Sequence, residues 1–267
     1  MITPASLATM LALLSARRPL VHNLTNAVVA NFTANALLAL GAAPVMAEGS
    51  NEVVTFAAVA DAVVVNLGML TPERAAVMLL AATSADAAET PWVLDPVGVG
   101  AIIPRTRFAQ DLCQIRPTAV RGNASEILSL SGEAGGGRGV DTGADPGADP
   151  EAALAAAKDL AKLTGGIVAV TDAVDYVTDG IRVLALHNGH PLMTRVTGMG
   201  CAATAIVGAC LACGGDALVA VAHALAITGI AGETAAAAAR GPGSMQVEFL
   251  DALAALAPEK LRVEMLK

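Results

Sequence analysis

Short runs rich in Val, Ile and Leu, each closed by a turn-forming or polar residue, alternate along this chain with longer stretches dominated by Ala and Leu. This rhythm restricts the fold more than any other feature, because it is the signature of strand–helix–strand units that bury a parallel sheet between layers of helices. The runs predict strands at 19–22, 44–47, 62–67, 92–96, 119–122, 166–172, 176–179 and 182–187. The stretches around them predict helices at 4–16, 27–40, 51–59, 72–88, 124–130, 150–163, 202–212, 217–239 and 247–256. The strands between 166 and 187 are joined by short turns such as Thr178-Asp179-Gly180, which predicts an antiparallel edge on an otherwise parallel sheet. Aromatic residues are only 2% of the chain, so the interior must be filled by Ala, Val, Leu and Ile, as suits close helix-on-sheet layers. With 267 residues, 55% of them hydrophobic, the chain is expected to form one α/β domain spanning 1–267. The Gly-, Asp- and Pro-rich stretch 131–150 is expected to be a surface loop, since the same strand–helix rhythm resumes after it.

A formal charge of −8 and a pI near 4.9 argue against broad electrostatic binding of nucleic acid or an anionic membrane surface. A phosphorylated small ligand would have to be held locally, by backbone amides, one or two cations and a metal. The segment 202–239 approaches membrane-spanning character, but Asp216, His223, Glu233 and several glycines interrupt it, so two buried helices are expected. The N-terminal stretch lacks the features of an export signal, and a cytoplasmic enzyme is the expectation. The four cysteines, Cys113, Cys201, Cys210 and Cys213, lack paired metal-ligand spacing; Cys210 and Cys213 fall near the end of an apolar helix.

The passage richest in chemistry is Val196-Thr197-Gly198-Met199-Gly200-Cys201, which runs into a helix of small residues. Glycines at 198 and 200 free the backbone to curl its N–H groups into an anion cradle, at the positive end of the following helix. Cys201 stands in the first turn, where a thiol is easiest to ionise. Fixed donors beside a titratable side chain suit phosphoryl transfer to an alcohol. A plain helix start with a buried small residue is the competing reading.

Ligands of parallel α/β sheets sit beyond the carboxyl ends of the strands, so polar residues there carry extra weight. Asp95 closes one predicted strand and precedes the loop Pro96-Val97-Gly98-Val99-Gly100. Arg121-Gly122-Asn123-Ala124-Ser125-Glu126 follows another, with Asn123 and Glu126 spaced as a capping box. Thr171-Asp172 ends a third. Singly, these are turn and capping residues. Together they offer oxygen ligands for a hard cation and donors for phosphates, as a magnesium–nucleotide site requires.

Over nearly its whole length the chain resembles the hydroxyethylthiazole kinase family of the ribokinase-like superfamily, which acts in thiamine salvage. The resemblance is carried by Pro19-Leu20-Val21-His22-Asn23-Leu24-Thr25-Asn26, by Asn31-Phe32-Thr33-Ala34-Asn35 and by the segment from Leu38 to Ala47. It continues through Leu94-Asp95-Pro96-Val97-Gly98-Val99-Gly100-Ala101, Arg121 to Ile127, the Val196 to Cys201 turn and Gly241-Pro242-Gly243-Ser244. The segments around Asn26 and Met46 are the most specific. The resemblance implies a three-layer α/β/α fold with a mostly parallel sheet and an antiparallel edge. It implies a kinase that uses ATP and Mg²⁺ to phosphorylate the hydroxyl of a hydroxyethyl-substituted thiazole. By the same resemblance, Cys201 is the catalytic residue facing that hydroxyl, where most relatives in the superfamily place an aspartate. Gly198, Met199 and Gly200 form the anion hole, and Asp95 and Glu126 hold the metal. Arg121 and Thr171 contact ATP, while Met46, Gly198, Asn26 and Gly68 bind substrate. Family members form trimers with pockets between subunits, so Asn26 and Met46 are expected to meet a neighbour's Cys201.

Three positions depart from the family pattern: Met199 within the glycine turn, Met69 after Asn66-Leu67-Gly68, and Asp172 after Thr171. Met199 is expected to contribute mainly its amide, whereas Met69 would alter substrate preference if it faced the pocket. A hydroxymethylpyrimidine or pyridoxal kinase of the same fold is the nearest alternative, disfavoured by the segments around Asn26 and Met46. Incubation with ATP, Mg²⁺ and each alcohol in turn separates the kinases; a cysteine-nucleophile hydrolase, disfavoured by the absence of a dyad signature, and a non-catalytic thiazole sensor, separated by alcohol-dependent ATP turnover, are further alternatives.

Overall fold

The structure, a computed structural model, describes residues 2–132 and 149–266, so most of the stretch expected as a surface loop at 131–150 lies outside the described residues. The helices are α1 (Pro4–Arg17), α2 (Ala30–Ala39), α3 (Val53–Val59), α4 (Pro72–Ala87), α5 (Ile103–Cys113), α6 (Ala124–Leu130), α7 (Pro150–Thr164), α8 (Met199–Ala212), α9 (Ala217–Ala238) and α10 (Pro242–Ala254). The strands are β1 (Leu20–Leu24), β2 (Ala43–Val45), β3 (Ala62–Asn66), β4 (Trp92–Asp95), β5 (Ala119–Asn123), β6 (Ile167–Thr171), β7 (Asp175–Thr178), β8 (Val183–Leu186) and β9 (Val263–Leu266). Among the described residues they form one sheet in the order β2-β1-β3-β4-β5-β6-β7-β8-β9. The first six are parallel; β6, β7 and β8 pair antiparallel, as the short turns foretold, and β9 adds antiparallel to β8.

Side chains alternate across each strand, and this splits the core in two. Val64, Val93, Ala119 and Ala169 belong to a cluster shared with α1, α2, α8, α9 and α10. Val63, Val65, Leu94, Val120 and Val168 belong to a second one, shared with α3, α4, α5, α6 and α7. Two helical layers therefore enclose the sheet, the expected α/β/α arrangement. Helix α9 is long and apolar enough to cross a membrane, but here most of it is buried against neighbouring elements.

The winding reverses at β1. The chain leaves β1 outward to β2, then returns to lay β3 on the other side of β1. A crevice beyond the carboxyl ends of strands at such a reversal is the usual ligand position in open α/β sheets.

Two elements were not anticipated from the sequence. Helix α5 is polar, and only Arg105, Ala109, Leu112 and Cys113 are buried. Strand β9 has no fully buried residue and is held by its ladder with β8. Helix α8 begins at Met199, three residues before the predicted start, which moves Met199 and Gly200 from a turn into its first helical positions.

Candidate functional site

Strand alternation aims the site. Asn66, Asp95, Arg121 and Thr171 each lie two residues beyond a strand residue buried under α8 or α9, namely Val64, Val93, Ala119 and Ala169. All four therefore belong to the same face of the sheet, at its carboxyl end. Asn66 is also the register partner of Asp95, and Asn123 that of Thr171.

Above them stands the start of α8. Gly198 precedes the helix in a left-handed conformation, φ +91°, and a Cβ there would meet Val29 at 3.1 Å and Phe32 at 3.2 Å. Glycine is required by conformation and by space. The first N–H to bond back within the helix is that of Ala202, to Gly198 O at 2.8 Å, which leaves the amides of Met199, Gly200 and Cys201 outside the ladder. Met199 buries its side chain in the core and offers the site only its backbone, as expected. Gly200 is set by a neighbour: a Cβ would stand 2.6 Å from Nη1 of Arg121, so that guanidinium lies directly against the helix start. Arg121 also donates from Nη2 to Thr171 Oγ1, and its buried Nε has no hydrogen-bond partner. Free amides with a guanidinium packed against the helix start are the chemistry of a phosphate site.

The acidic side of the cluster is buried. Asp95 accepts at Oδ2 from Asn66 Nδ2 at 2.7 Å and from Thr204 Oγ1 at 2.8 Å, and both bonds land on one oxygen. Glu126 accepts from Gly98 N–H and Asn123 N–H, each at 2.9 Å, while Asn123 Oδ1 accepts from Glu126 N–H. The capping box is therefore formed, and the same carboxylate also fastens the loop after β4. Burial, reinforced by the Asp95 charge, pushes the Glu126 carboxyl up to about 7. Burial likewise raises Asp95 above the usual carboxylate range, against the pull of Arg121 and its two donors. Two desolvated carboxylates, both raised by burial, are poised to accept a cation. Among the described residues no group of three His, Cys, Asp or Glu side chains forms a complete metal cage. A cation here would need phosphate oxygens or water to fill its shell.

Cys201 departs from expectation in its ionisation. Its thiol is pushed up to about 12, first by burial and then by the Asp95 charge, which outweigh the Asn66 hydrogen bond and the Arg121 charge. It is a neutral thiol at pH 7, not an easily ionised one. Its Sγ accepts from Asn66 Nδ2 at 3.2 Å.

On the substrate side, Asn26 Oδ1 accepts from Val28 N–H at 3.1 Å, and Asn26 Nδ2 donates to Asn66 Oδ1 at 3.1 Å. Gly68 N–H donates to the same oxygen at 3.0 Å, and a Cβ on Gly68 would lie 2.4 Å from Asn26 Nδ2. Asn26 and Gly68 thus connect to this chain's own Cys201 through Asn66. Met46 stands apart: it follows the edge strand β2, which β1 separates from β3, and it is half-buried. Met69 is 54% exposed with φ +53°, and Asp172 is exposed. A cavity of about 110 Å³ lies on the far side of Leu24, lined by Glu48, Glu73, Arg74, Val77 and Met78.

The sequence reading did not single out Asn66, Thr204 or Asp175. Asn66 ends the Val-rich β3 and met the same strand-end criterion as Asp95. Thr204 lies one helical turn after Cys201, where an apolar helix hid it. Asp175 opens β7, and its carboxyl is pushed up to about 7 by burial, partly offset by Arg121.

Comparison with known proteins gives the chain relatives along nearly its whole length. A family model described as the hydroxyethylthiazole kinase family matches residues 11–259. The hydroxyethylthiazole kinase of Granulibacter bethesdensis is 58% identical over 95% of this chain and 91% of its own. That of Escherichia coli is 51% identical over 97% of each. Among solved structures, the hydroxyethylthiazole kinase protein from Pyrococcus horikoshii superposes with a TM-score of 0.90 at 40% identity, covering 98% of this chain and 100% of that one. The pyridoxal kinase of Staphylococcus aureus in complex with AMP-PCP, at 18% identity and TM-score 0.61 over 81% of this chain and 88% of its own, shares the fold.

Proposed function

The chain belongs to the hydroxyethylthiazole kinase family, and from that premise we propose that it transfers the terminal phosphoryl group of ATP to the hydroxyl of hydroxyethylthiazole in thiamine salvage. The observation that carries the site assignment is one connected cluster at the strand ends: Cys201 in the first turn of α8, bonded through Asn66 to Asp95 and to Asn26, beneath the free amides of Met199, Gly200 and Cys201.

In this reading Arg121 and Thr171 hold the nucleotide phosphates, and the amides of 199–201 hold the group in transfer. Mg²⁺, when bound, would neutralise charge on the phosphate oxygens. Asp95 would hold it through Oδ1, the oxygen not taken by Asn66 and Thr204. Glu126, whose two oxygens already accept backbone N–H groups, would act through water. Asn26, Gly68 and Met46 line the alcohol's side, with Gly198 beneath it.

Cys201, as a neutral thiol, cannot strip the hydroxyl of its proton in advance. Sulfur takes that proton as the new P–O bond forms and passes its own S–H proton to a phosphoryl oxygen. A loose transition state tolerates such a late transfer, because little charge is demanded of the attacking oxygen early.

The reading includes a cytoplasmic homotrimer, with Met46 of one subunit completing the pocket of the next. Exposed Val28, Leu38, Val54, Val59 and Met69, on the loops and helices around β1 to β3, support such an interface. Light scattering tests it: a monomer that retains full activity on dilution removes the shared pocket. A coupled ADP-release assay across thiazole, hydroxymethylpyrimidine and pyridoxal alcohols tests the substrate. Turnover of pyridoxal without turnover of the thiazole alcohol would overturn the assignment.

A further inference from the structure

We infer that Asn66 is a positioning residue of the transfer reaction, the amide that fixes the Cys201 sulfur relative to both the alcohol pocket and Asp95. The inference rests on the reading of Cys201 as the group at the substrate hydroxyl. Asn66 is 1% exposed, and its amide has four hydrogen-bonding positions, two donating and two accepting. All four are used. Nδ2 donates to Asp95 Oδ2 at 2.7 Å and to Cys201 Sγ at 3.2 Å; Oδ1 accepts from Asn26 Nδ2 at 3.1 Å and from Gly68 N–H at 3.0 Å.

The orientation of the amide is dictated by its neighbours. Gly68 can only donate, a carboxylate can only accept, and Asn26 is itself fixed because its Oδ1 takes the Val28 N–H. Turning the Asn66 amide over would set a carbonyl against Asp95 and an NH₂ against two other donors. The result is a chain of bonds from the backbone after β1, through Asn26 and Asn66, to the sulfur at the start of α8. A buried, fully used amide of this kind transmits position: moving the pocket moves the thiol.

The sulfur has few other anchors. Its backbone is fixed by α8, but a cysteine side chain has three staggered rotamers, and the recorded bond that selects one comes from Asn66. A misplacement of about 1 Å in a reacting group is enough to cost roughly 10²-fold in rate.

Asn66→Asp is the first test, since it keeps the acceptor for Asn26 and Gly68 but loses both donors. Calorimetry without nucleotide should show the thiazole alcohol bound within about threefold of wild type, while kcat per folded protein falls about 10²-fold or more. Asn66→Ala, which adds no charge beside Asp95, supplies a double-variant cycle with Cys201→Ala and replaces the first variant should that one not fold. If Asn66 acts through the sulfur, the double variant lies within about fivefold of Cys201→Ala alone. Wild-type kcat in Asn66→Asp, or losses that multiply in the double variant, overturn the inference and leave the role of Cys201 standing. A Cys201→Ala variant with wild-type kcat instead removes the role of Cys201 and this inference with it.

Discussion

Cys201 is a thiol held in a state that does not favour ionisation, and that sets what its loss should do. If it relays the proton late, Cys201→Ala lowers kcat by roughly 10²- to 10⁴-fold, and Cys201→Asp, which restores an oxygen acceptor, remains active. Steady-state kinetics with saturating alcohol decide it; a wild-type rate in the alanine variant makes the residue a packing cysteine. Gly200 gives a second prediction. Its missing Cβ is occupied by the far end of a flexible side chain, Arg121 Nη1 at 2.6 Å, so Gly200→Ala can be accommodated by moving the guanidinium. The variant should fold with near-normal stability while its KM for ATP rises about tenfold or more, because a displaced charged hydrogen bond is worth roughly 1.5–3 kcal/mol. An unchanged KM would place the nucleotide elsewhere. These residues were legible in the sequence because glycine before cysteine at a helix start is a local pattern. Asn66 was not, because its importance lies in four partners distant in sequence, and the raised thiol pKa was not, because desolvation outweighs the helix terminus only once the fold has buried the sulfur.

At the scale of elements, strands with two buried faces and helices with apolar stripes were readable, while α5 and β9 were not. Arg105, Ala109 and Leu112 do repeat at helical spacing behind Pro104, a usable signal, but the intervening polar residues masked it. Strand β9 has no buried face to leave a pattern; its place is set by β8 and by an anchor on α9. Glu233 accepts from Gly189 N–H at 2.8 Å and pairs with Arg262, while Asn188 Oδ1 accepts from Arg262 N–H at 2.7 Å. The close approach of this loop to α9 depends on Gly229, where a Cβ would lie 2.6 Å from the backbone oxygen of Asn188. Alanine inside a helix ordinarily gains up to about 1 kcal/mol over glycine. Here the clash is with backbone, which cannot swing aside, so overpacking wins and Gly229→Ala should destabilise by about 1–3 kcal/mol. Urea denaturation measures the loss, and kinetic constants should be unchanged, since α9 at this point contributes nothing to the strand-end cluster. A gain in stability would mean the loop yields.

For the whole molecule, the site carries an electrostatic cost that pH exposes. Glu126 and Asp175 are both pushed up to about 7, so between the ordinary carboxylate range and that value the folded chain binds more protons than the unfolded one. Stability from these groups is fully present below about 4.5 and is lost as pH rises through about 7. His223 works the other way. Burial pushes it down to about 4, so it favours the folded state above about 6.5 and withdraws that support as pH falls toward 4. Burial lowers a second histidine, His22, and raises Asp95 as well; the three raised carboxyls still outnumber the two histidines below 6.5 and act alone above it, so in the absence of ligands stability should decline from pH 5 to pH 8. A carboxyl moved from 4.5 to about 7 accounts for roughly 3 kcal/mol of that decline. Glu126→Gln cannot titrate and should flatten the profile by an amount of that order, whatever constant offset the new amide introduces against Gly98 and Asn123. Urea titrations of both proteins at intervals across this range supply the comparison. Parallel profiles would show that Glu126 ionises normally and that the acidic side of the site is more open to water than its burial implies. Magnesium with ADP should also stabilise the wild-type protein more at pH 8 than at pH 6, because a cation favours the ionised carboxylates that the empty fold resists.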